Sequence, residues 1–180
     1  MKQGRGMLML VISAVLLAIF GTKAISAQDK YTVKVPDGLA FSEFRGFEDW
    51  KAIAVSHAES LNLIEVIVGN PVMMDAYLAG IPGNGKPFPD GAKMAKIHWN
   101  AVKNEQEPGT PIVPSTLHDI DFMVRDSKRF ASSGNWGYAE FDYDTASDTF
   151  RPLGSGSNCG YACHTIVKAK DYVFTSYGKR

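Results

Sequence analysis

The sequence predicts an α+β domain, mainly an antiparallel β-sheet with a few short helices. Residues 61–68 are rich in β-branched side chains, and residues 137–143 alternate between apolar and polar types. Both patterns are typical of strands. Asn70-Pro71 is a typical helix start, because asparagine caps the first turn and proline tolerates its first position. More strands than helices, separated by loops rich in glycine and proline, favour an antiparallel sheet.

The remaining elements follow from the same patterns. After a mixed lead-in over residues 28–43, the expected elements are a short helix running into a strand (47–55), a strand (61–68), a helix (71 to about 80), strands (92–99 and 120–124), a helical turn (126–131), a strand (137–143), a helix (164–170) and a final strand (172–177). Loops at residues 80–91 and 108–114 are dense in glycine and proline. The loop at residues 80–91 has too many turn residues for a flexible linker, so a single domain is expected.

The composition is that of a globular protein, and it excludes one large class of partner. The chain has 180 residues, of which 45% are hydrophobic and 21% charged. That length allows one domain with its own core. Lysine plus arginine and aspartate plus glutamate both number 19, so the formal net charge is zero. A nucleic-acid partner is not expected, because phosphate binding needs a clustered positive excess.

Residues 1–27 have the features of a signal peptide. Two basic residues come first, residues 7–20 are almost wholly apolar, and small residues lead up to Ala27. The apolar run is too short to span a bilayer comfortably, which takes about 20 residues, although a retained anchor is the alternative. We therefore expect cleavage near Ala27, export to the periplasm and a mature domain over residues 28–180, with membrane contact only through export.

The two cysteines, Cys159 and Cys163, carry most of the functional information. Both lie in the part expected to be exported, where free thiols rarely persist. One interpretation is attachment of a c-type haem, since His164 directly follows the second cysteine and would lie beneath the iron as axial ligand. The usual spacing between the cysteines is two residues and here it is three, so one residue must be looped out, which Gly160 tolerates. A Cys159–Cys163 disulfide and a small metal site are the alternatives.

Beyond that motif, the chain resembles the cytochrome P-460 family, which includes the cytochromes c′-beta. The resemblance rests on four patches in the same order along the chain: Trp50 with the apolar run after it; Phe88-Pro89-Asp90-Gly91 followed by Lys96; residues 125–131 with Gly134-Asn135-Trp136; and Cys163-His164 followed by residues 171–175. Together the patches span most of the expected mature chain.

The resemblance implies a small, mainly antiparallel β domain, commonly a homodimer, that holds one covalently attached haem c per chain. Carried onto this sequence, it implies thioether bonds from Cys159 and Cys163. It also implies His164 as the proximal ligand of a five-coordinate iron with an open distal side. The three-residue spacing between the cysteines departs from the family pattern at Cys159.

In one branch of that family a lysine nitrogen is also bonded to a porphyrin meso carbon, and Lys96 is the matching position by its distance from residues 88–91. Strand alternation places Lys96 and Lys93 on opposite faces, so only one of them can face a haem. Burial against a macrocycle would favour the neutral, nucleophilic amine. The alternative is that Lys96 is a solvated lysine on an outer face.

Relatives with the cross-link are associated with oxidation of hydroxylamine, through nitric oxide, toward nitrous oxide. Relatives without it are associated with binding of nitric oxide and other small gases. The resemblance thus predicts a haem protein that binds or oxidises a small nitrogen compound and passes electrons to a soluble acceptor such as another cytochrome. The alternatives are a non-catalytic gas-binding or electron-transfer cytochrome of the c′-beta type, and a haem-free exported binding domain closed by a Cys159–Cys163 disulfide. His98, Glu140 and Asp142 are candidate proton acceptors, or ordinary polar residues of strands.

Overall fold

Six antiparallel strands form a single sheet and follow one another in chain order. In the computed structural model, which describes residues 27–36, 39–153 and 157–178, they are β1 (Lys51–Ala58), β2 (Leu63–Gly69), β3 (Lys93–Lys103), β4 (Ile112–Arg125), β5 (Trp136–Asp144) and β6 (Thr149–Leu153). The predicted α+β class with a mainly antiparallel sheet is confirmed. Almost all of the expected signal peptide lies outside the described residues, and so do the side chains of residues 157–159.

The helices of the described part are short. The first α-helix, α1 (Pro71–Leu78), begins as predicted, because the Asn70 side chain accepts a hydrogen bond from the Met73 N–H. The second, α2, is Ser157–His164, and 3₁₀ helices cover Lys30–Thr32, Phe41–Phe44, Phe47–Asp49, Ala131–Ser133 and Thr165–Lys170. Within the described ranges, we find no helix with the length and apolar character needed to cross a membrane.

The N-terminal segment covers one face of the sheet with aromatic side chains. Phe41 and Phe44 are fully buried there, and the ring of Phe44 stacks on Phe122 of β4 with 4.1 Å between the ring centroids. Phe41 also meets Phe141 of β5 at a centroid distance of 5.0 Å. Burial of a phenylalanine contributes roughly 1.5–3 kcal/mol, so this face supplies much of the stability of the domain.

The opposite face of the sheet is only partly covered. α1 packs over it with Met73 and Met74 buried in the core. The loop after α1 adds Phe88, and the C-terminal segment adds Val173. Between these covers, the sheet face remains open to a cavity.

Two expectations about the C-terminal part were wrong. The predicted strand over residues 172–177 is an irregular segment, because Asp171 and Tyr172 have positive φ angles of 49° and 64° and turn the chain away from a strand path. The helix expected to begin at residue 164 begins at Ser157 instead and continues beyond His164 as a 3₁₀ helix.

The borders of the central strands also differ from expectation. β4 begins at Ile112, so the loop predicted over residues 108–114 is shorter, and β6 was missed altogether. The predicted helical turn over residues 126–131 is a turn followed by the 3₁₀ helix Ala131–Ser133. β6 gives little hydrophobic signal, because it is a short, largely exposed edge strand that contains Pro152.

Candidate functional site

A cavity of about 550 Å³ lies between the open sheet face and the C-terminal segment. Strands β1 to β6 supply its floor, while α2 and residues 173–176 supply walls. The volume is in the range of cofactor sites, roughly 300–1,000 Å³. Of the four residues that the sequence singled out, Lys96, Cys163 and His164 line this cavity. The fourth, Cys159, lies in α2, and its side chain is outside the described part of the chain.

His164 is the last residue of α2 and is held in a defined orientation. Its Nδ1–H donates to the carbonyl oxygen of Tyr172 at 2.6 Å, which leaves Nε2 available to a ligand. The rings of Tyr138 and Phe174 pack against the imidazole, each with 4.9 Å between centroids. Burial lowers the pKa of His164. The ring is therefore kept neutral and in one tautomer, which is the form that ligates a metal.

A buried ion pair fixes the segment that orients His164. The guanidinium of Arg125 donates to Asp171 Oδ1 at 3.0 Å, and the Phe88 N–H donates to Asp171 Oδ2 at 2.8 Å. Asp171 immediately precedes Tyr172, the residue whose carbonyl accepts the His164 hydrogen bond. Sequence reasoning missed this support, because the partners of Asp171 lie in β4 and in the loop after α1.

Gly160 allows α2 to lie directly against β5. A Cβ at this position would be 2.5 Å from the Cβ and Cγ atoms of Tyr138, which is closer than such atoms approach. Gly160 is part of the helix, so the prediction that one residue between the cysteines is looped out was wrong. With the three-residue spacing, Cys159 and Cys163 are four residues apart in one α-helix. The thiol of Cys163 is free and exposed.

Lys96 lies on β3 with its side chain on the cavity face. Its Nζ forms an ion pair with Glu65 Oε1 at 2.8 Å. Lys93 faces the other side of the sheet, where its Nζ donates to the carbonyl oxygen of Glu43. The predicted division of the two lysines between opposite faces is confirmed, and Lys96 is the one that shares a cavity with His164.

Two carboxyl groups lie beside Lys96 on the cavity floor. Asp121 of β4 is the register partner of Lys96, and Glu140 of β5 is the register partner of Asp121. Burial, with the negative charges of Asp119 and Glu140, raises the pKa of Asp121 to about 7. Burial also raises the pKa of Glu140. Asp121 can therefore take up or release a proton near neutral pH.

The three proton acceptors considered from the sequence lie in different places. Glu140 lines the cavity, His98 is buried next to the floor, and Asp142 pairs with an arginine of β6. Asp121 was missed. The signal that could have found it is the alternation Asp119-Ile120-Asp121, which places two carboxylates on the same face of a strand.

The donor set and the apolar lining of the cavity fit a haem. His164 offers a neutral imidazole nitrogen, and Cys163 offers a thiol in the adjacent position. Ile67, Met94 and Val173 contribute apolar lining. Haem sites need this combination of an axial ligand and a largely apolar pocket.

Comparison with known proteins agrees with the geometry. The sequence model of the family described as cytochrome P460 matches residues 44–175, which is most of the chain. The matched range contains the whole sheet, α1, Lys96, Cys163 and His164. No curated protein sequence matches the chain. Because the family match spans the sheet and the cavity together, the chain belongs to the cytochrome P460 family, which implies a haem cofactor.

Proposed function

We propose that this chain is an exported, periplasmic c-type haem protein that binds or oxidises a small nitrogen compound, hydroxylamine or nitric oxide, at a five-coordinate iron. The observation that carries the proposal is that His164, Cys163 and Lys96 line one cavity, although Lys96 comes from a different part of the chain. Family membership supports the haem, and these residues support the way in which it is held.

In this proposal, the histidine and the two cysteines of α2 have different roles in holding the haem. His164 ligates the iron through Nε2, since its Nδ1 hydrogen is committed to the Tyr172 carbonyl. Cys163 and Cys159 carry thioether bonds from adjacent turns of one helix. When bound, the haem would supply a redox-active iron to which a small ligand can bind.

The cavity floor supports an oxidative role. Oxidation of hydroxylamine to nitric oxide releases protons and electrons in equal number. Asp121, whose pKa is raised to about 7 by burial and neighbouring carboxylates, can accept such protons inside the cavity. Glu140 lies next to it as a second acceptor. The electrons pass to a soluble one-electron acceptor such as another cytochrome.

One contact favours a second candidate function, non-catalytic gas binding or electron transfer. Lys96 is held in an ion pair with Glu65 at 2.8 Å. An ammonium ion is not a nucleophile, because its nitrogen has no free electron pair. If this ion pair persists when the haem is present, no lysine–porphyrin bond forms, and the protein corresponds to the gas-binding branch of the family.

Intact-mass spectrometry of the protein purified from the periplasm tests covalent attachment. We expect the mass of the mature polypeptide plus one haem, because Cys163 and Cys159 lie on adjacent turns of α2. Changing either cysteine to serine should leave the haem tethered by the other. The triple variant C159S/C163S/K96A should release it on denaturation, since it also lacks the expected Lys96–porphyrin bond. A polypeptide mass without haem, reduced by the hydrogens lost in a disulfide, would contradict the proposal and support a Cys159–Cys163 bridge.

The absorption spectrum tests the lysine–porphyrin bond. We expect the Soret band of the unmodified protein to lie well to the red of that of Lys96→Ala, because the cross-link changes the conjugation of the macrocycle. Lys93→Ala is the matched control, since Lys93 is three residues away on β3 but faces the other side of the sheet. Identical spectra for Lys96→Ala and the unmodified protein would exclude the bond and leave gas binding as the preferred function.

A further inference from the structure

A row of polar side chains crosses the sheet beside the cavity. From β1 to β6 the register partners in this row are Ser56, Glu65, His98, Asp119, Asp142 and Arg151. Directly opposed residues of antiparallel strands project to the same face. The row therefore lies on the cavity face, next to the row that contains Lys96 and Asp121.

His98 is the buried centre of that row. Its Nδ1 hydrogen-bonds with Asp119, and its Nε2 lies 3.4 Å from Glu65 Oε1. A carboxylate oxygen of Asp121 also lies within 4.8 Å of a His98 ring nitrogen. Burial and the charge of Lys96 oppose protonation of the ring, but the hydrogen bond and charge of Asp119 outweigh them and raise the pKa of His98.

The contacts continue from Asp119 to the surface. Asp119 Oδ2 lies 2.5 Å from His118 Nδ1, and the His118 side chain is 47% exposed. His118 borders a shallow depression that opens to solvent. Glu65, at the other end, lines the cavity. Carboxylate and imidazole groups thus alternate from the cavity floor to the protein surface, and the longest step is the 3.4 Å between Glu65 and His98.

We propose that Glu65, His98, Asp119 and His118 form a path that carries protons from the cavity floor to solvent. This inference rests on the proposed oxidation of hydroxylamine. A proton taken from the substrate, directly or after uptake by Asp121 on the same floor, passes through Glu65 to Nε2 of His98, while the Nδ1 proton of His98 moves to Asp119. Asp119 passes a proton to His118, which releases one to water. One proton enters the path for each that leaves it, and the electrons depart separately to the soluble one-electron acceptor.

A separate route for protons is needed when the cavity is occupied. Cofactor sites typically bury roughly 70–90% of the surface of their ligand, so a macrocycle bound in the cavity would restrict the access of bulk water to its lining. His98 lies on the protein side of that floor, with only 8% of its side chain exposed. A buried imidazole between two carboxylates is suited to proton transfer, because it has a donor or acceptor nitrogen on each side.

Two variants of the haem-loaded protein test the path. Asp119→Asn keeps the size of the side chain and an acceptor oxygen for His98, but an amide cannot take up a proton at neutral pH. His118→Ala removes the outer end of the path at an exposed position that does not disturb the core. His57→Ala, at an exposed histidine of β1, is the matched control.

We expect the kcat for hydroxylamine oxidation to fall about 100-fold in Asp119→Asn, as is typical for loss of a positioned proton carrier, with KM unchanged. In His118→Ala the fall should be smaller, and imidazole added to the solution should reverse it. A second readout does not require turnover. After a pH jump across the pKa of Asp121, about 7, the haem absorbance of both variants should relax more slowly than that of His57→Ala.

Unchanged kcat and unchanged relaxation in both variants would overturn the path and leave the polar row as a structural network. If the unmodified protein does not oxidise hydroxylamine at all, the proposed oxidation is contradicted instead. The pH-jump measurement then still decides whether Asp119 and His118 carry protons to the cavity floor.

Discussion

His164→Gly is expected to remove the protein ligand of the haem iron while leaving the fold in place. Among the described residues that line the cavity, His164 is the one imidazole, and its orientation is fixed by the Tyr172 carbonyl. Loss of a group that merely orients a metal ligand typically costs about 10–100-fold in affinity or activity, so loss of the ligand itself should cost more than about 100-fold. The absorption spectrum and the binding of nitric oxide measure the effect.

Added imidazole provides the specific control for this variant. The space left by the side chain lies between Tyr138 and Phe174, so free imidazole should enter it and restore the spectrum in part. His57→Ala, at an exposed position of β1, should change neither spectrum nor binding. A His164→Gly protein whose spectrum equals that of the unmodified protein without imidazole would show that another group ligates the iron.

Gly160→Val is expected to weaken the domain and to lower the fraction of chains that carry haem. The added Cβ would meet Tyr138 at 2.5 Å, and the atoms it meets include the Tyr138 Cβ, which cannot swing away. Forced overpacking of this kind costs about 1–3 kcal/mol. The helix propensity of valine is higher than that of glycine, but the gain is smaller than the roughly 1 kcal/mol that alanine would give. The steric cost should therefore dominate.

Urea unfolding and the ratio of haem absorbance to protein measure both effects of Gly160→Val. Gly178→Ala is the matched control, because a Cβ there meets nothing within 4 Å. It should leave the unfolding midpoint and the haem content unchanged. Ordinary surface substitutions change the free energy of unfolding by no more than about 0.5 kcal/mol. A change this small in Gly160→Val would show that α2 can move away from β5 at little cost.

The elements that the sequence predicted well are those with local signals. α1 is specified within a single turn by Asn70 and Pro71, and β5 is specified by the alternation within its own residues. α2 has no such signal, because Gly160 lowers helix propensity by about 1 kcal/mol. Its packing against Tyr138 outweighs that cost. The segment after Asp171 has strand-like residues but no strand, because two successive positive φ angles redirect the chain.

The features of the candidate site also fall into two groups, those with a local signal in the sequence and those set by tertiary contacts. The adjacency of Cys163 and His164 and the alternation that turns Lys96 and Lys93 to opposite faces are properties of a few consecutive residues, so the sequence by itself determined them. The tertiary structure alone decided that Lys96 shares a cavity with His164, and that Asp121 lies beside it with a pKa near 7. These features depend on strand register and on burial by distant covering segments. Both arise from contacts between residues far apart in the chain, which no local periodicity or cap specifies.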